Sequence, residues 1–275
     1  MKDERTAMNA TPRWSAEQVR AAMLPDCARK LIESVLRSGF DPATDPARMN
    51  TQAGAGVLLL MPSTIGDWTG IKVASVSSAN PDRGLPRIQG PYLLLDSTTL
   101  SLRLIADTVS LTELRTPAVS AVAIDRLAAT DAQRLVVFGT GPQAIGHVIV
   151  AALLRPFDEI LIVGRRTEKV ADAVEQLAQA GVTASAGQVD DVATADVVIC
   201  ATSAPTPLFD GGLVRDGTVV IAIGSHEPDK RELDSALMSR ALVVVEDAQT
   251  AVREAGDVAI PVNGLTCGQF ARGAC

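Results

Sequence analysis

One stretch limits the fold more than any other. "RLVVFGTGPQAIGHVIVAALL", residues 134–154, runs from a short apolar strand through a glycine-rich turn directly into an apolar helix. Behind it, "EILIVG", "VTASAG", "DVVICAT", "TVVIAIG" and "ALVVVED" continue the series, with helical segments between most of them. Near-continuous Val/Ile/Leu strands, lacking polar alternation, belong to a parallel sheet covered by helices on both faces. The expectation is α/β: a Rossmann-type doubly wound sheet over roughly residues 117–260.

The turn carries its own chemistry. Gly139, Gly141 and Ala144 fit G-x-G-x-x-[G/A]. The first glycine makes the tight turn, the second admits a pyrophosphate against the backbone, and the third, small position lets helix and strand pack. The helix N-terminus then offers unpaired N–H groups to phosphate. A lone glycine fingerprint is weak, but a strand before it and further βα units behind it make a dinucleotide cradle of Gly139, Thr140, Gly141, Pro142, Gln143 and Ala144. The alternative is a glycine turn that binds no nucleotide.

The end of the second strand distinguishes cofactors. NAD sites usually hold a carboxylate there for the ribose 2′-hydroxyl. Here Gly164, Arg165, Arg166 and Thr167 precede the first acid, Glu168. Guanidinium groups and a hydroxyl suit a 2′-phosphate, which a carboxylate would repel. NADP(H) is therefore the expected cofactor. NAD(H), with both arginines as solvated surface charges, is the alternative.

The first third reads differently. Residues 15–38 have helical period, interrupted at Pro25, and "DPATDPAR" is a loop. "GVLLLMP", "GIKVASVS" and "IQGPYLLLD" are strand-like, with a turn-rich "NPDRGLP" between the last two, and the pattern becomes helical from Thr108 to about Ala128. This is an α+β domain over 1–116.

Composition narrows the class. A net charge of −7 disfavours a nucleic-acid surface. The longest apolar runs are too short to span a bilayer, and "MKDERTAMNATPRW" has neither the basic start nor the apolar core of a leader. Cys27, Cys200, Cys267 and Cys275 form no metal spacing, so no metal site is expected, and a reducing cytoplasm is the simplest setting.

Taken together, "LLLMP", "GIKVASVSSANPDRGLPRIQG", "LTELRTPAVSA", "GTGPQA", "DVVICATSAP" and "PDKRELD" resemble the ornithine cyclodeaminase/mu-crystallin family over roughly residues 48–260. The resemblance implies a Rossmann domain plus a substrate domain whose sheet forms a homodimer interface. It implies that Arg48 and Arg115 hold a substrate carboxylate, with Lys72 at the reacting carbon and nitrogen. Thr116, Gln143, Ala201, Thr202 and Ser203 would then line the cofactor side. Bidentate guanidinium suits a planar carboxylate, and a lysine among arginines should lose proton affinity and assist at an imine nitrogen. Read singly, Lys72 could merely snorkel, and Arg115 could cap a helix or pair with Glu113.

Two departures matter. Ornithine cyclodeaminases carry an aspartate where this chain has His226, followed by Glu227 and "PDK". An imidazole cannot anchor an alkylammonium as a carboxylate does, though it can donate a proton near neutral pH. That favours reduction of a small cyclic ketimine carboxylate, such as pyrroline-2-carboxylate or its piperideine homologue, with His226 as a candidate acid. His226 merely closing its turn on a backbone carbonyl is an equal alternative. Ornithine cyclodeaminase with Glu227 as the substitute acid, and an NADPH-binding crystallin-like protein without turnover, remain the competing readings. The second departure is at residues 261–275: relatives continue for several tens of residues after a "GDV" stretch, whereas "NGLTCGQFARGAC" does not resemble that return. The expectation is a truncated or frame-altered copy with a loosened cleft.

Overall fold

The computed structural model describes residues 11–264. The chain divides into two compact units, Met1–Thr116 and Pro117–Cys275. The atypical tail expected over 261–275 lies outside the described residues from 265 onward, as do Cys267 and Cys275.

The first unit is a seven-stranded sheet. Its strands are β1 (Arg13–Trp14), β2 (Met49–Ala53), β3 (Gly56–Ile65), β4 (Trp68–Val76), β5 (Ile88–Gln89), β6 (Pro91–Asp96) and β7 (Leu102–Asp107). The order is β1-β7-β6-β4-β3-β2, with β5 also pairing β4. All neighbours are antiparallel except β1 and β7. The single strand expected at 88–96 is broken at Gly90, whose φ of 132° is outside the range of ordinary strand residues. A Cβ there would also stand 2.0 Å from the Val73 carbonyl oxygen. Helices α1 (Ala16–Ala22) and α2 (Pro25–Arg37) lie between β1 and β2 in the chain, with Ser15 and Gln18 forming a reciprocal cap on the first.

Helix α3 (Thr108–Leu127) follows β7 without a loop and carries Pro117 inside it. A proline there removes one intrahelical hydrogen bond. The boundary between the units falls at that proline.

The second unit has five parallel strands: β8 (Arg134–Phe138), β9 (Glu159–Val163), β10 (Ser185–Ala186), β11 (Val197–Cys200) and β12 (Val219–Ala222). Their order, β10-β9-β8-β11-β12, reverses direction between β8 and β11, the position at which doubly wound sheets bind ligands. Both faces are buried. Leu135, Val137, Ile160, Ile162, Val197 and Ile199 pack on one side against helices α4 (Pro142–Leu154) and α5 (Thr167–Gln179). Val136, Phe138, Leu161, Val198 and Cys200 pack on the other, where the Phe138 and Phe209 rings stand 5.0 Å apart. Period-two alternation with an apolar residue at every step is why these segments read as unbroken apolar runs.

"ALVVVED" departs from its expected strand. Residues 241–247 form neither strand nor helix, and Leu242 is 86% and Val244 65% exposed. A β-branched run has strand propensity, but a strand exists only with a ladder partner, and no described residue pairs with this one. "VTASAG" likewise contributes only the two residues of β10. The chain ends its described part in α6 (Ser235–Arg240), α7 (Ala248–Glu254) and α8 (Gly256–Gly264).

Candidate active site

The register of the first sheet assembles one row of side chains. Met61 pairs with Lys72, Lys72 with Tyr92, and Tyr92 with Ala106. Directly opposed residues of neighbouring strands share a face, so these four point the same way. Arg48 stands one residue before β2, and the β2–β3 register continued by one step sets it opposite Met61. Arg115 comes from the first half of α3.

Lys72 is half-buried, and its pKa falls to about 8. Burial is the main cause, because it disfavours the charged form; the like charges of Arg115 and Arg48 add to it. Among the described residues Lys72 Nζ makes no hydrogen bond or ion pair. Three cationic side chains thus gather around one point, an arrangement suited to a small carboxylate. Both arginines remain solvent-exposed, so within this unit the cluster is open to solvent. Glu113 pairs with Arg20 at 3.1 Å.

The glycine turn of the second unit has the form of a phosphate cradle. Gly139 adopts φ 125°, and a Cβ there would lie 2.4 Å from the Ala201 carbonyl oxygen. Gly141 caps α4, and a Cβ on it would enter open space. Ala144 is buried beneath the turn. An open approach to a helix N-terminus fits a dinucleotide phosphate. In the first unit, Thr116 Oγ1 is a buried hydroxyl without a hydrogen-bond partner. Arg165, Arg166 and Thr167 are exposed at the start of α5.

After β11, Thr202 is fixed by a residue whose role the sequence reading did not assign. Glu232 is fully buried, and its Oε1 accepts from Thr202 N and Oγ1 at 2.7 and 2.6 Å. Its Oε2 accepts from Gly224 N at 2.7 Å, joining the loops that follow β11 and β12. Asp257 supports it by accepting from the backbone N–H groups of Glu232 and Leu233. The only signal was the position of Glu232 inside "PDKRELD", where so many charged neighbours make a carboxylate read as a surface group. Ser203 beside it is exposed.

His226 is exposed, and its Nδ1 lies 2.8 Å from the Gly224 carbonyl oxygen. Nδ1 therefore carries the proton and donates it, closing the turn, while Nε2 stands 3.9 Å from Glu227 Oε1. Glu227 itself accepts from Lys230 Nζ at 2.6 Å. The other histidine, His147, is buried: Nδ1 donates to the Gln143 carbonyl (2.7 Å), and Nε2 accepts from Ser120 Oγ (2.9 Å). Burial lowers its pKa to about 4, so this imidazole is neutral.

Comparison with known proteins gives one consistent result. The model of the ornithine cyclodeaminase/mu-crystallin family matches residues 15–269. A delta(1)-pyrroline-2-carboxylate reductase of Paracoccus denitrificans is 34% identical over 198 residues, which are 70% of this chain and 62% of that protein. The Thermococcus litoralis delta(1)-pyrroline-2-carboxylate reductase, solved with NADH and L-proline, superposes with a TM-score of 0.85 at 25% identity. That match covers 92% of this chain and 81% of the other. An archaeal alanine dehydrogenase dimer with bound NAD superposes with a TM-score of 0.86 at 25% identity, covering 92% of this chain and 79% of its own. Among the described residues no helix is long and apolar enough to cross a membrane.

Proposed function

The chain belongs to the ornithine cyclodeaminase/mu-crystallin family, and on that premise we propose that it reduces a small cyclic ketimine carboxylate to the cyclic amino acid. The observation that carries this reading is Lys72, half-buried and without a partner, with its pKa lowered to about 8 beside Arg115 and Arg48. The two guanidinium groups bind the substrate carboxylate and fix the imine carbon. Lys72, near its midpoint at physiological pH, delivers a proton to the imine nitrogen. A nicotinamide dinucleotide with its pyrophosphate on the Gly139–Ala144 turn would supply the hydride. Thr202 and Ser203 would flank that cofactor, with Ala201 packed under the turn.

NADPH is the preferred donor in this reading. Arg165 makes no hydrogen bond or ion pair among the described residues, and Arg166 stands 3.9 Å from Glu168. Both are available to a 2′-phosphate. His226 keeps Nε2 for a ligand but is committed through Nδ1 to its own turn, so its part is secondary. The Glu227–Lys230 pair counts against Glu227 as a cyclodeaminase carboxylate.

The working unit is a homodimer. Pro62, Ile71, Leu93 and Ile105 form a cross-strand row on the sheet face opposite Lys72, and every one stays partly exposed. An apolar sheet face of this kind is covered in a stable assembly. Light scattering of the purified protein tests it: a monomer at micromolar concentration refutes it.

The test of the function is loss of NADPH absorbance with pyrroline-2-carboxylate and its six-membered homologue. Consumption with either, faster than with NADH, is the expected result. Ammonia release from ornithine without imine reduction would replace this reading with the cyclodeaminase one.

A further inference from the structure

Tyr92 is the chain's one tyrosine, and it stands directly opposite Lys72 on the same face of the sheet. Its ring does not turn outward. It lies across Gly70, two residues before Lys72 on β4, so that a Cβ at position 70 would come within 1.8 Å of the phenol oxygen. Any larger residue at 70 would displace the ring. The absence of a side chain there is what seats the phenol beside Lys72. Side chains two residues apart on one strand stand about 7 Å apart, so a small ligand at Lys72 Nζ lies within reach of the hydroxyl.

Three observations give that hydroxyl a task. The side chain is half-buried, and its oxygen makes no hydrogen bond with any described residue. Burial raises the phenol pKa, which keeps it a protonated donor. The rest of its neighbourhood on this face is apolar or small: Met61, Ala74, Leu94 and Ala106, with Ser63 opposite Gly70.

We propose that Tyr92 is a substrate-contacting, specificity-determining residue: its hydroxyl donates to an oxygen of the bound imino carboxylate, and its ring walls the pocket over Gly70. The proposal deepens the reductase reading and rests on it. The charges of Arg48, Arg115 and Lys72 attract any small carboxylate. The phenol adds a directional neutral donor and a rigid wall that limits ring size.

The experiment uses the full chain with NADPH. Tyr92→Phe keeps the ring and removes the donor; the expected result is a five- to tenfold rise in KM for pyrroline-2-carboxylate with kcat within twofold. Tyr92→Leu opens space above Gly70 and should shift kcat/KM at least threefold toward the six-membered imine. An unchanged preference removes the wall. Because the chain has one tyrosine, 3-fluorotyrosine gives a single fluorine resonance. It should move saturably with L-proline in the wild type and stay fixed in Lys72→Ala. Active wild-type enzyme with either an unchanged Tyr92→Phe KM or a stationary resonance overturns the proposal. A moving resonance in a protein that reduces neither imine keeps the Tyr92 contact and rejects the reductase reading. No turnover and no movement rejects both.

Discussion

Glu232 Oε1 holds Thr202 by two hydrogen bonds at once, from the backbone N–H at 2.7 Å and from the hydroxyl at 2.6 Å. Thr202 Oγ1 in turn accepts from Ala204 N at 3.1 Å, so one buried carboxylate sets the course of the loop after β11. Glu232→Gln replaces acceptors with an amide that can satisfy only some of these donors. It should cost about 2 kcal/mol of stability, the range for hydrogen bonds to charged groups. Urea denaturation measures the loss. A variant as stable as wild type would mean that the two loops hold their course without the carboxylate.

The two cradle glycines should separate folding from binding. Gly139→Ala forces a side chain into a positive-φ backbone against the Ala201 carbonyl, neither of which can yield. A stability loss of about 2–4 kcal/mol is expected. Gly141 has φ −88°, and its added Cβ meets no protein atom. Gly141→Ala should melt within about 2 °C of wild type, because a few tenths of a kcal/mol shifts a chain of this size little. It should nevertheless bind NADPH at least tenfold more weakly. Melting curves without cofactor and fluorescence titration with it test the pair. Equal NADPH binding by Gly141→Ala would remove phosphate from the cradle.

Lys72 predicts a pH profile. If its ammonium form delivers the proton, kcat/KM falls as pH rises through about 8. Removing a neighbouring positive charge favours the ammonium form, so Arg115→Gln should move that limb to higher pH while raising KM. A limb that stays in place in Arg115→Gln would assign the titration to another group.

His147 predicts acid lability. In the folded chain its pKa is about 4, against 6.5 for an exposed imidazole. Between those values the unfolded chain binds the extra proton. The contribution is therefore complete above pH 6.5 and is lost as pH falls toward 4, roughly 3 kcal/mol at most. Denaturation midpoints at pH 6.5, 5.5 and 4.5 should fall in that order. His147→Gln, which cannot titrate, should flatten the slope. A slope unchanged in that variant would trace acid loss to other groups.

Several features were legible from local pattern. The strand–turn–helix of residues 134–154 announces itself because strand burial, glycine spacing and helical period all lie within twenty-one consecutive residues. Helix α3 and strands β3 and β4 were legible for the same reason. Strands β1 and β2 were not. The segments of β1 and β2, "RW" and "MNTQA", are too short or polar to carry a hydrophobic signal and are strands only because a neighbour pairs with them, whereas "LRLIAD" of β7 holds an apolar signal that went unread.

The sequence alone determined which chemistry the chain holds: a glycine turn between strand and helix, arginines in place of a ribose carboxylate, and a lysine on an apolar strand. Each is a local property of residue type and spacing. Tertiary structure decided what those groups do together. Strand register put Tyr92 opposite Lys72, and an empty position at Gly70 seated its ring. Folding made Glu232 a hub, committed His226 Nδ1 to a carbonyl, and left "ALVVVED" without a ladder. Hydrogen-bond partners and cross-strand neighbours are set by residues distant in sequence, and no local pattern encodes them.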